Sequence, residues 1–193
     1  MDQAQDTLKD PRQDPLQIPL IAGYNDNNEP VVEQVTVVPV VAAGQPPVTD
    51  ATALLSKTGL EHPGEFRLSK SPAFIRGLAA DDRIRYPVDN ATTYDLLEHS
   101  GNLSIRVFSK HNTEELDQAL TPELELIDGR IDISSPGLLV YTIHVSIGFQ
   151  QIEAVLNKVL AGFPDTIWYY GNVYDPEDGV TPLNWWQDIA QSV

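Results

Sequence analysis

Apolar and polar positions alternate with period two in several short runs of this chain and shift to a period near 3.6 in others. LSIRVFS (Leu103–Ser109) alternates and is rich in branched residues, the pattern of a strand. NTEELDQAL (Asn112–Leu120) reads as a short polar helix, and GRIDIS (Gly129–Ser134) alternates again. LLVYTIHV (Leu138–Val145) is almost wholly apolar. In FQQIEAVLNKVL the apolar residues Phe149, Ile152, Val155, Leu156, Val159 and Leu160 fall on one helical stripe. Gly162 and Pro164 follow as stop signals, and Lys158 sits where the helix dipole favours a cation. TIWYYGNV (Thr166–Val173) reads as a last strand. In the first helix Asn112 is expected to cap and Glu115 to complete a capping box. Pro122 disfavours helical geometry at Thr121, so that helix is expected to stop there.

The order strand, helix, strand, strand, helix, strand is that of a ferredoxin-like split β-α-β unit. Its first and third strands are central and should be the most apolar. The most apolar run of the chain, Leu138–Val145, falls in the third slot. The expected class is α+β, with an antiparallel β-hairpin N-terminal part followed by a ferredoxin-like βαββαβ half.

The N-terminal part divides as follows. Residues 1–15 are polar and aperiodic and are expected to form a disordered leader. LQIPLIA (Leu16–Ala22) reads as a strand, with Pro19 marking it as an edge. The turn-rich Gly23–Pro30 leads into a second strand, Val31–Val41. Asn25–Glu29 lacks the ligand spacing and distal glutamate of a calcium loop and reads as turn chemistry. Ala42–Asp50 reads as a linker and Ala51–Gly59 as one or two helical turns. Phe66–Leu68 and Arg83–Val88 read as strands separated by a loop, Pro72–Ala80. Residues 16–99 are thus expected to be a mostly antiparallel β subdomain and 100–174 the ferredoxin-like one. Residues 175–193 form an aromatic, acidic tail, with a short helix opening at Trp185 and Trp186.

One set of residues resembles a family of small uncharacterised bacterial proteins. That family has an aromatic-x-Leu segment, then Pro-Phe-Phe, then Gly-Asp opening a strand, then Ser-Gly-polar before Arg-Val. Here Phe66 and Leu68, Pro72 and Phe74, Asp82 with Ile84, and Ser100-Gly101-Asn102 before Ile105-Arg106-Val107 stand in those places. Ala73 and Asp81 depart from the pattern. The resemblance spans roughly Leu16 to Val107, implies the fold, and carries no catalytic residues.

Composition narrows the function classes. The 193 residues hold 28 acidic and 12 basic side chains, a formal net charge of −16. Such a surface repels nucleic acid and anionic membranes and favours a basic protein partner. There is no cysteine, which removes disulfides, thiolate nucleophiles and zinc–thiolate sites. No apolar run is long enough to span a bilayer, and the first residues are unlike a secretory signal, so a cytoplasmic setting is expected.

Four histidines, His62, His99, His111 and His144, show no HxH or HExxH spacing, so neither a metal nor another cofactor is expected. His144 shares a strand face with Leu138, Val140 and Thr142 and fits a core or pocket position. His99-Ser100 are strand neighbours pointing to opposite faces. No nucleophile elbow or phosphate loop occurs, and no catalytic residue is assigned. The denser constellation is Trp168, Tyr170, Tyr174, Trp185 and Trp186, interleaved with Asp175, Glu177 and Asp178. Aromatic rings among carboxylates match a binding hot spot aimed at lysine and arginine. The same rings could instead close a second core between the two halves. The expectation is an acidic protein-binding protein that neutralises or regulates a basic partner, as an immunity protein blocks a toxin. The rivals are a small-molecule or enzymatic domain built around His144, and a homodimeric subunit joined through the open sheet face.

Overall fold

A computed structural model describes residues 15–40, 64–86 and 93–190. The leader up to residue 14, the linker and helical turns expected over 42–59, His62, and the end of the expected strand Arg83–Val88 lie outside the described residues. Two antiparallel sheets form the frame. The first holds five strands in sequential order: β1 (Leu16–Tyr24), β2 (Pro30–Pro39), β3 (Gly64–Leu68), β4 (Arg83–Tyr86) and β5 (Asp95–Glu98). Pro19 lies on β1, an edge strand, where its missing N–H costs no ladder bond. At the β1–β2 turn, Asn25 Oδ1 accepts from Asn27 N at 3.0 Å and Glu29 N at 2.9 Å, an Asx-type turn.

The second sheet is built from β6 (Asn102–Ser109), β7 (Arg130–Ser135), β8 (Leu138–His144) and β9 (Thr166–Tyr170), in the spatial order β7-β8-β6-β9. Helix α1 (Thr113–Glu125) joins β6 to β7, and α2 (Phe149–Leu160) joins β8 to β9. Numbered within this half, the strand order is 2-3-1-4 and every pairing is antiparallel, the ferredoxin-like arrangement. A short helix, α3 (Trp186–Ala190), closes the tail.

Alternation along β8 sorts its side chains. Leu139, Tyr141 and Ile143 enter the helix-side core with Leu116, Leu120, Leu124, Ile152 and Leu156. Leu138 and Val140 point to the other face, where they pack against Ala73. The stripe expected for α2 holds: Ile152 and Leu156 are fully buried, and Phe149, Val155, Val159 and Leu160 pack at their flanks.

Helix α1 departs from expectation at both ends. Asn112 adopts a left-handed conformation (φ 56°) and makes no side-chain cap. The helix does not stop at Thr121 but runs through Pro122 to Glu125. Packing overrides the proline: Leu116, Leu120 and Leu124 recur every four residues and are buried, so ending at Thr121 would expose Leu124. Lys158 Nζ of α2 also donates to Glu123 Oε2 at 2.9 Å.

The β3–β4 connection, Ser69–Asp82, forms a middle layer. Ile75 and Leu78 pack into the core of the first sheet, while Ala73 packs on the second. A buried loop must satisfy its main chain. Ser71 N donates to Asp132 Oδ2 at 2.8 Å, and Ala73, Phe74 and Ile75 N–H groups donate to the Glu33 carboxylate. Gly77 N reaches Gly171 O at 2.8 Å, Ala79 N reaches Asp82 Oδ2 at 2.8 Å, and Ala80 N reaches Ser71 Oγ at 3.0 Å. This layer occupies part of the sheet face on which a homodimer contact was expected.

Candidate partner-binding surface

Strand β9 sets the site because its two sides differ. Trp168 and Tyr170 point to the helix side, where Tyr170 is 8% exposed. Ile167 and Tyr169 point the other way and are 67% and 36% exposed. On the helix side the rings interlock edge to face: Trp168 with Tyr170 at 5.2 Å, Phe149 with Tyr170 at 5.2 Å, and Phe149 with Trp186 at 5.4 Å. Trp185 meets Trp186 at 5.7 Å and stacks on His99 at 4.6 Å. Its Nε1 donates to Asn172 O at 2.7 Å. Four residues of the expected contact set, Trp168, Tyr170, Trp185 and Trp186, thus pack against the helix-side core, and Trp185 ties the tail to the end of the first sheet.

The other four lie at the surface. Tyr174 is 40% exposed and pairs with Pro182 in an isolated bridge. Between them the chain folds into an acidic turn in which two of the three carboxylates are held by its own main chain. Asp175 Oδ1 accepts from Glu177 N at 2.8 Å, and Asp178 Oδ1 accepts from Val180 N and Thr181 N, both at 2.8 Å. Thr181 Oγ1 donates to Asp178 Oδ2 at 2.5 Å. The Thr181 hydroxyl, then the Thr181 and Val180 amides, hold the Asp178 carboxyl below the usual aspartate value. Glu177 is exposed and Asp175 half-buried.

Beside this turn is a cleft of about 340 Å³ lined by Arg76, Tyr169, Tyr170, Tyr174, Asp175 and Asp178, among others. Sequence reasoning missed Arg76 and Tyr169. They reach the cleft from the middle layer and from the outward face of β9, a juxtaposition that no local pattern encodes.

Behind the cleft lies Arg106, fully buried on β6. Its Nη2 donates to Ile75 O, while its Nε and Nη1 lie within hydrogen-bond distance of no acceptor among the described residues. The guanidinium carbon sits 5.9 Å from the centre of the Tyr169 ring. Burial pushes the Arg106 pKa down from its ordinary value.

His144 is half-buried, and its Nδ1 meets Ser146 Oγ at 2.8 Å and Ser146 N at 3.2 Å, capping a short 3-10 turn. Its neighbours there are a hydroxyl and an amide rather than a carboxylate. His99 Nδ1 lies 3.4 Å from the buried Asp82. Asp82 in turn accepts from Ser100 N at 2.8 Å and Ser100 Oγ at 3.0 Å. Asn102 Nδ2 donates to Ala80 O at 3.0 Å. Of the residues that carried the family resemblance, Asp82, Ser100 and Asn102 therefore meet around the Ala80 carbonyl, where the β3–β4 connection reaches the start of β6. Among the described residues no group of three or more His, Cys, Asp and Glu is placed to hold a metal, and no helix is long and apolar enough to cross a membrane.

Comparison with known proteins agrees with this architecture. A family model described as a domain of unknown function, DUF4265, matches residues 59–162, more than half of the chain, and the chain belongs to that family. No curated protein sequence matches. A crystal structure of a hypothetical protein from Neisseria gonorrhoeae is similar over 82% of this chain and 94% of that one, with a TM-score of 0.55 and 14% identity. At that identity the likeness shows the fold alone.

Proposed function

We propose that this member of the DUF4265 family is an acidic protein-binding protein that works in the cytoplasm by docking a basic protein partner. Neutralising or regulating that partner, as an immunity protein blocks a toxin, is the role that suits such a surface. The observation that carries the reading is the turn from Tyr174 to Thr181. Its Asp175 and Asp178 carboxylates are fixed by main-chain donors beside an aromatic cleft. Groups held in place before contact lose little freedom on binding, so each cation they meet contributes more to affinity. The excess of 28 acidic over 12 basic residues adds a long-range field that steers a cationic surface toward the site. The interlocked Trp168, Tyr170, Phe149 and Trp186 rings act from behind, tying β9 and the tail's closing helix to the same core.

The test begins with the tagged protein and the partner that co-purifies with it at low but not high salt. Titration calorimetry then compares the wild type with the triple variant Asp175→Lys, Glu177→Lys, Asp178→Lys. Affinity is expected to fall about tenfold or more, since three reversed charges turn attraction into repulsion and about 1.4 kcal/mol suffices for a factor of ten. An unchanged affinity would place the contact elsewhere on the molecule.

A further inference from the structure

The main chain of β9 faces two ways. Gly171 N donates to Ser104 O at 2.7 Å and Lys110 N donates to Asp165 O at 3.4 Å, which fixes the parity of the β6–β9 ladder. With Arg106 opposite Tyr169 and Phe108 opposite Ile167, residues 165, 167, 169 and 171 direct their N–H and C=O groups toward β6. Thr166, Trp168 and Tyr170 direct theirs away from it, to the open edge of the sheet. Thr166 N is taken by Phe163 O, but the main-chain groups of Trp168 and Tyr170 have no partner among the described residues.

Open edges are normally blunted by a lysine, a proline, a bulge or a covering element. TIWYY carries no charge and no proline, and its pairing with β6 shows no bulge. It is a regular, aromatic edge whose helix-side rings pack on the core and whose other face exposes Ile167 and Tyr169. Asp165 stands at one end and Asp175 follows at the other, neither in an ion pair among the described residues.

We infer that β9 is a strand-docking edge. It takes an extended segment of a basic protein whose apolar residues lie beside Ile167 and Tyr169 and whose lysines or arginines reach Asp165 and Asp175. The inference rests on the acidic-docking reading and adds the mode of contact: main-chain pairing to Trp168 and Tyr170 gives affinity, and alternate side chains give selectivity. Charge decides against a second copy as the occupant. Two copies paired antiparallel about Trp168 would set Asp165 of each opposite Gly171 of the other, near its Asp175, and bring together two chains of net charge −16 each.

Amide hydrogen exchange of the full chain tests this, using two synthetic peptides of equal charge. One alternates valine and lysine; the other has proline at the valine positions and a methyl group on every lysine main-chain nitrogen, so that no N–H is left to donate to an edge. At low ionic strength the valine–lysine peptide is expected to slow exchange at Trp168 and Tyr170 by about tenfold or more. Ile167 and Tyr169, already bonded to β6, should not change, and the proline peptide should protect neither outward amide. Binding of both peptides without protection at Trp168 and Tyr170 would overturn edge pairing while leaving acidic docking intact. Binding of neither would overturn the edge inference, leaving the calorimetric test to judge the acidic surface. Protection that persists in the Asp175→Lys, Glu177→Lys, Asp178→Lys variant would support the edge and count against the acidic turn. Protection already present in the free protein, together with a dimer in sedimentation, would make the occupant a second copy and overturn the basic partner.

Discussion

Glu33 and Arg106 hold the same loop from opposite sheets. The Glu33 carboxylate, on β2, accepts from Ala73 N at 2.6 Å, Phe74 N at 2.9 Å and Ile75 N at 3.2 Å. Arg106, on β6, donates to Ile75 O. One side chain takes the loop's donors and the other takes its acceptor, so a buried segment without regular structure keeps its polar groups paired. Removing the acceptor in Glu33→Ala leaves three N–H groups without it. Stability is expected to fall by about 2–4 kcal/mol, read as a lower urea midpoint at unchanged slope.

Gly171 tests the tightness of the same junction. A Cβ there would sit 2.8 Å from Arg106 Nε and 2.9 Å from Cζ, and the guanidinium is enclosed. Gly171→Ala is expected to cost about 1–3 kcal/mol through overpacking. Combined with Arg106→Met, which removes the rigid fork, the two changes should be less than additive. A double-mutant cycle in urea measures that coupling, and strict additivity would mean that the two residues do not collide.

Pro122 is a helix breaker retained inside α1 by the burial of Leu124. Replacing it with alanine restores an N–H to the helix and removes the ring's clash with the preceding turn. Pro122→Ala is expected to stabilise the protein by about 1 kcal/mol, part of the local gain being offset by a freer unfolded chain. Thermal unfolding by circular dichroism checks the direction.

Alkaline behaviour follows from two tyrosines. Burial pushes the Tyr141 and Tyr170 hydroxyls well above the ordinary tyrosine value. A group whose folded pKa is raised contributes stability that is complete below its unfolded pKa, here about 10, and is lost as pH climbs toward the folded value. The protein should therefore weaken above about pH 10. In an ultraviolet titration these two tyrosines should ionise only with unfolding. Tyr170→Phe should shift alkaline unfolding to higher pH; an unchanged profile would mean that Tyr170 titrates freely.

Asp178 has the opposite sign. Its folded pKa is depressed, so its contribution is present above the ordinary aspartate value and lost as pH falls through the depressed one. The Val180 and Thr181 amide resonances should report one ionisation with a midpoint below that of a free aspartate. Asp178→Asn should abolish that step and loosen the turn at neutral pH, seen as faster exchange at the same two amides.

Local pattern alone determined the class and most elements of the second half. The 3.6 period of Phe149–Leu160 reports which face is buried, because one-sided burial writes a period into the sequence, and the almost wholly apolar Leu138–His144 reports a strand covered on both faces. The edge role of β1 was legible in Pro19, since a missing donor is tolerable only at an edge. Tertiary structure decided what has no period. Ser69–Asp82 is buried on both sides by different sheets, so its apolar residues follow no repeat, and its polar groups pair with residues distant in sequence such as Glu33 and Asp132. The eight residues grouped by composition were divided by position. Tyr170 entered the core and Trp168, Trp185 and Trp186 packed against it, while Tyr174, Asp175, Glu177 and Asp178 stayed outside: the alternation of β9 turns Trp168 and Tyr170 to the helices only once the sheet has a helix side, and the fold-back of the tail brings Trp185 and Trp186 to them.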